Sequence, residues 1–125
     1  MEEREKIALR LKEAGVDVDG AVARFMGNWS LFYRFLRKFP EEWNPAQVRA
    51  LLEQKDEEGF HRALHTVKGM AGNLGAASVF QATEETLAEL RANGLADCGR
   101  LSALWARAEA AGETLLEALE ELPPA

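Results

Sequence analysis

From Leu101 to Leu122, apolar residues recur in steps of three or four: Leu101, Leu104, Ala108, Ala111, Leu115, Leu119 and Leu122. This spacing predicts one long amphipathic helix with a single apolar seam. Each Å² of that seam gains roughly 25 cal/mol when it leaves water, so the helix needs partners of comparable length. The rest of the chain reads as those partners, because Ala, Leu, Glu and Arg dominate it and no strand-length alternation occurs.

Start and stop signals divide the remainder. A helix is predicted over Glu2 to Ala14, with Gly15 as its stop. Asp17 or Asp19 opens a short helix running through Phe25 and Met26. Asn28 caps "WSLFYRFLRKF", and Pro40 is expected to end it. Asn44 followed by Pro45 is a strong start signal for the next helix. Asp56 caps a helix extending to Leu74, with Gly75 in the left-handed C-terminal position. A further helix covers Ala77 to Ala92 and ends at Asn93-Gly94. Asp97 caps the last helix, which Pro123 and Pro124 close. Short connections favour antiparallel neighbours. The expected fold is therefore all-α: an antiparallel four-helix bundle with additional short N-terminal helices, residues 1–125 forming a single domain. Trp29, Phe32, Tyr33, Phe35, Leu36 and Phe39 are expected in its core, as are Trp43 and Trp105.

The net charge of −6 argues against broad nucleic-acid binding, which calls for a basic surface. The single cysteine, Cys98, allows no internal disulfide and fits a reducing compartment. "MEEREKIALRLKEAG" lacks the apolar core of a signal peptide, and no apolar run approaches the ~20 residues of a membrane span. A cytoplasmic protein with no membrane or nucleic-acid partner is the expectation.

One segment, "HTVKGMAGNLG", is at odds with its helix. Gly69 and Gly72 lie in consecutive turns, and each costs a helix interior about 1 kcal/mol relative to alanine. At 100° per residue, Phe60, Ala63, Leu64, Val67, Met70, Ala71 and Leu74 share one arc. Glu58, His61, Arg62, His65, Thr66, Lys68, Gly69, Gly72 and Asn73 share the other. His65 thus points away from the core, with a lysine and bare backbone beside it. Bare backbone admits a close-packed partner, and a nearby ammonium neutralises an anion. An exposed imidazole near its ordinary pKa of ~6.5 is substantially neutral and nucleophilic at pH 7. No phosphate-binding glycine loop and no acidic metal cluster adjoins His65. The pattern reads as a docking face carrying a reactive histidine.

The residues His65, Lys68 and Gly69, with Gly75 six positions after Gly69, form H-x-x-K-G plus a spaced glycine. Together with "GVDVDGAVARFMGNWSLFYRFLRKF" at residues 15–39, they resemble the histidine-containing phosphotransfer (HPt) domains of two-component phosphorelays, over most of residues 15–92. The resemblance implies that His65 is the phosphoacceptor, reacting at Nε2, and that Lys68 steadies the phosphate. It implies partner docking by His61, Arg62, Gly69, Gly72 and Gly75. The phosphoryl group would come from a response-regulator receiver domain or a hybrid histidine kinase and leave to another receiver aspartate. The chain itself would carry no cofactor and would not be an enzyme on its own; Mg²⁺ would sit on the partner receiver. Members often hold the second imidazole nitrogen with a polar side chain from the following helix. Leu87 occupies the aligned position here, which leaves Glu85, or Glu84, as the expected support.

Other readings rest on the same residues. Glu58-x-x-His61 and the His61/His65 pair have metal-ligand spacing, but a di-iron bundle needs a second Glu-x-x-His and the chain has only two histidines. The same face also suits a docking adaptor that is never phosphorylated, or the phosphoacceptor domain of a chemotaxis-type kinase.

Overall fold

The computed structural model describes residues 2–125. Its elements are α1 (Glu3–Glu13), α2 (Val18–Arg24), α3 (Trp29–Leu36), α4 (Phe39–Glu42), α5 (Pro45–Glu53), α6 (Glu57–Leu74), α7 (Ala77–Asn93) and α8 (Cys98–Glu121), with no strand among the described residues. Helices α5 to α8 form the expected bundle: α6 packs on α5 and α7, and α8 packs on α7 and α5. α1 lies on α8, while α2 and α3 cover α6.

Asx side chains start five of these helices. Asp17, Asn28, Asn44, Asp56 and Asp97 each accept a hydrogen bond from the backbone N–H three residues on, at 2.9 to 3.3 Å. Each bond satisfies an N–H that the helix cannot pair itself, typically worth about 1 kcal/mol. Pro40 departs from expectation. α3 ends at Leu36, and Pro40 lies in the first turn of α4. A proline there removes only an N–H that had no partner, so it begins a helix rather than ending one.

The core runs from Ile7 of α1 to Leu119 of α8. Phe32, Tyr33, Leu36 and Phe39 are buried in it, as are Trp43 and Trp105. Phe35 is a correction: it is 42% exposed and stacks on Phe25 at the surface, with ring centroids 5.5 Å apart. Trp29 is only partly buried, and the Arg4 guanidinium lies over its ring. Trp43 closes the α5–α8 end by covering Gly112, where a Cβ would meet the indole at 2.2 Å. Arg49 of α5 clamps Glu109 of α8 through two nitrogens at 2.7 and 2.9 Å and also bonds to Ser102. The chain end is tied to α3: the Tyr33 hydroxyl donates to the Pro123 carbonyl at 2.5 Å, and Arg37 donates to the Leu119 carbonyl.

Candidate functional site

Helix α6 displays its polar arc to solvent between the flanking α5 and α7. Phe60, Leu64, Ala71 and Leu74 are buried beneath it, while Val67 and Met70 are half-buried at its edges. His65, Arg62 and Gly69 are exposed, and His61, Lys68 and Gly72 are half-buried. The His61 and His65 rings meet edge to face, one turn apart, with centroids at 4.7 Å.

The three glycines differ. A Cβ on Gly69 would meet nothing within 4 Å, so internal packing does not require a glycine there. At Gly72 a Cβ would make ordinary contact with the Phe80 ring at 3.4 Å. Gly75 is buried and has φ +73°, and a Cβ there would approach the Ala21 Cβ to 2.5 Å. Its carbonyl also accepts the Asp17 N–H at 2.8 Å. The expectation that Gly75 belongs to a docking face is therefore corrected. It terminates α6 and seats α2, and it is buried there.

Helix α7 brings charge to the histidine. Lys68 Nζ lies 2.5 Å from Glu84 Oε2, and Arg91 Nη1 lies 3.8 Å from Glu84 Oε1. The second terminal nitrogen of Arg91 lies 3.3 Å from His65 Nε2. A guanidinium only donates hydrogen bonds, so the imidazole nitrogen facing it is the one with the free lone pair. The proton of the neutral ring then sits on Nδ1. Glu85, the expected imidazole support, is turned to the opposite neighbour, where it faces Arg107 of α8 at 3.5 Å. One residue along a helix is a 100° rotation, which carries position 85 out of the α6–α7 groove. Leu87 is fully buried in the core between Glu84 and Arg91.

Sequence reasoning missed Arg91. The signal was its spacing: seven residues beyond Glu84, it lies on the same helix face two turns away. Finding it required the α6–α7 register, which places Glu84 beside Lys68 and Arg91 beside His65.

The His65 pKa is lowered from 6.5, first by partial loss of hydration and then by the positive charges of His61, Arg91 and Lys68, with Glu84 opposing them. Glu84 is held below the usual carboxylate range, chiefly by its bond to Lys68. The imidazole is thus mostly neutral at pH 7, with its Nε2 lone pair facing the Arg91 guanidinium. An NMR titration of His65 should give a midpoint below 6.5, and Arg91→Ala should raise it; a midpoint above 6.5 would contradict this electrostatic account. The unfolded imidazole takes up its proton first. This histidine therefore withdraws stability as pH falls from the unfolded pKa to the folded one, and has no effect above that window.

Among the described residues, no group of three or more His, Cys, Asp and Glu side chains is arranged to hold a metal ion. Glu58, His61 and His65 thus do not gather into the ligand set their spacing suggested.

The family model described as Hpt domain matches residues 35–123. The match begins at the end of α3 and runs through α8, so it reaches further toward the C-terminus than the motif-bearing region and takes in the whole four-helix bundle. Comparisons with curated proteins and with solved structures give no match.

Proposed function

We propose, for a chain that belongs to the Hpt domain family, that His65 accepts a phosphoryl group from the aspartyl phosphate of a receiver domain, or from a histidine kinase, and passes it to another receiver aspartate. The observation that carries this reading is the site itself: an exposed imidazole whose Nε2 faces the Arg91 guanidinium, with Lys68 one turn along α6 and tied to the same Glu84, beside a glycine that packing does not require.

In the forward step the Nε2 lone pair forms the P–N bond while the aspartyl O–P bond breaks. The partner's carboxylate leaves with the electron pair. Arg91 moves from Nε2 to the incoming phosphoryl oxygens, and Lys68 reaches them from one turn along α6. Charge-assisted hydrogen bonds of this kind are shorter and stronger than neutral ones. Gly69 leaves the approach open, and His61, Arg62 and Gly72 border it. Mg²⁺ and the acidic pocket that holds it belong to the partner, which makes this chain a carrier rather than an enzyme. Such partners are cytoplasmic, and no described helix is long and apolar enough to cross a membrane. The continuity of the core from α1 to α8 supports reading residues 1–125 as one domain.

The test is phosphotransfer from receiver domains carrying labelled phosphate. Wild type should acquire acid-labile label, and failure with every receiver of the source organism would end the relay reading. Lys68→Ala should slow transfer or shorten the phosphohistidine lifetime by about tenfold, the value of one charge-assisted hydrogen bond. Its melting temperature should barely change, because partly exposed ion pairs contribute little to stability. Unchanged kinetics would remove Lys68 from the site.

A further inference from the structure

Among the described residues, Glu84 is the one carboxylate that contacts both cations of the site, with one oxygen toward Lys68 at 2.5 Å and the other toward Arg91 at 3.8 Å. The three side chains are 30%, 39% and 45% exposed for Lys68, Glu84 and Arg91. Ion pairs at that exposure add little to folding stability, so a purely structural tie between α6 and α7 is a weak account of the arrangement. A phosphoryl group on Nε2 would bring a charge of roughly −1.5 to −2 into the same cluster. It would then compete with Glu84 for Lys68 and Arg91, and the carboxylate would repel it.

We propose that Glu84 is a positioning residue that holds Lys68 and Arg91 in the unphosphorylated chain, competes with the phosphoryl group for them, and so keeps phosphorylated His65 a ready donor. The inference rests on His65 being the phosphoacceptor. Before transfer, the carboxylate places both cations within reach of Nε2 and offsets their charge. After transfer, it prevents them from binding the phosphoryl group so tightly that the group is trapped. The charged and titratable groups around that phosphoryl are His61, Arg62 and Lys68 from α6, and Glu84 and Arg91 from α7.

The experiment needs no protein partner. Phosphoramidate phosphorylates the full chain directly: the donor's P–N bond breaks, ammonia leaves with the electron pair and a proton, and the new P–N bond forms at the imidazole. The phosphorus NMR signal is then followed against pH, and its decay is timed at neutral pH. In Glu84→Gln the phosphoryl oxygen should bind its proton about tenfold less tightly, as expected when one negative charge is removed several Å away at an intermediate effective dielectric. The phosphohistidine should also last longer. Glu84→Asp, which keeps the charge, should stay close to wild type. Lys68→Met should move the proton affinity the opposite way, which keeps the idea testable if Glu84→Gln folds poorly. Label on His65 in all variants with unchanged proton affinity would overturn this inference alone. A changed melting temperature with an unchanged titration would do the same, by showing a merely structural tie. Wild type that takes no label on His65 would overturn the phosphocarrier reading together with this one.

Discussion

His65→Gln is expected to abolish acid-labile phosphate on this chain while its helical circular dichroism and melting temperature stay those of wild type. Glutamine approximates the length and polarity of the imidazole, but its amide nitrogen has no free lone pair to attack phosphorus. The position is exposed on the polar arc of α6, and its side chain has a hydrogen-bond contact with Arg91. Substitutions at such sites seldom disturb folding. The measurement is incubation with labelled phospho-receiver followed by acid and alkali treatment of the product, since phosphohistidine survives alkali and is lost in acid. The neighbouring His61, with its ring centroid 4.7 Å away, supplies the internal control. Label that survives His65→Gln and disappears in His61→Gln would move the acceptor by one turn.

The second large effect separates two glycines of the motif. Gly75→Ala forces a left-handed φ on a residue with a Cβ, which costs roughly 1–2 kcal/mol. The new Cβ would also press on Ala21 at 2.5 Å and on the Asp17 carbonyl at 3.0 Å, so α2 must shift as well. A total loss of about 2–4 kcal/mol is expected, read as a melting temperature lowered by about 10 °C. Gly69→Ala should do the reverse. Its Cβ enters open space in a helix interior, so the chain gains up to about 1 kcal/mol and melts a few degrees higher. Gly69→Gln should keep most of that helix propensity and yet slow transfer from a receiver, because its side chain stands where the partner must approach. Thermal denaturation of the three variants, with transfer rates for the two at Gly69, distinguishes a glycine needed by the fold from one needed by a partner. A destabilised Gly69→Ala, or a Gly69→Gln with wild-type transfer, would mean that the open approach to His65 has been misassigned.

These two glycines also mark how far one-dimensional reasoning reaches. Their spacing from His65 is a sequence property, and both belong to the same recognisable motif. Exposure of Gly69 follows from the helical wheel, because a position on the polar arc of an amphipathic helix faces outward whatever the helix packs on. Burial of Gly75 does not follow, because it depends on α2 folding back across the end of α6. Phe35 illustrates the same point in the other direction. An aromatic-rich segment predicts a core, but α3 lies at the surface of the bundle, and Phe35 stays 42% exposed, stacked on Phe25 rather than in the core.

What the sequence determined by itself was everything set by neighbours within about four residues. That includes the helices and their Asx caps, the apolar seam of the last helix, and the face of α6 that carries His65, Lys68 and Gly69. These follow because helix geometry couples each residue to positions three and four away, and that coupling is written directly in the order of residues. The tertiary structure alone decided which charges reach the imidazole. Glu84 and Arg91, rather than Glu85, stand beside Lys68 and His65 because core packing sets the register and rotation of α7 against α6. A rotation of 100° would exchange one carboxylate for its neighbour, and nothing local to either helix specifies it.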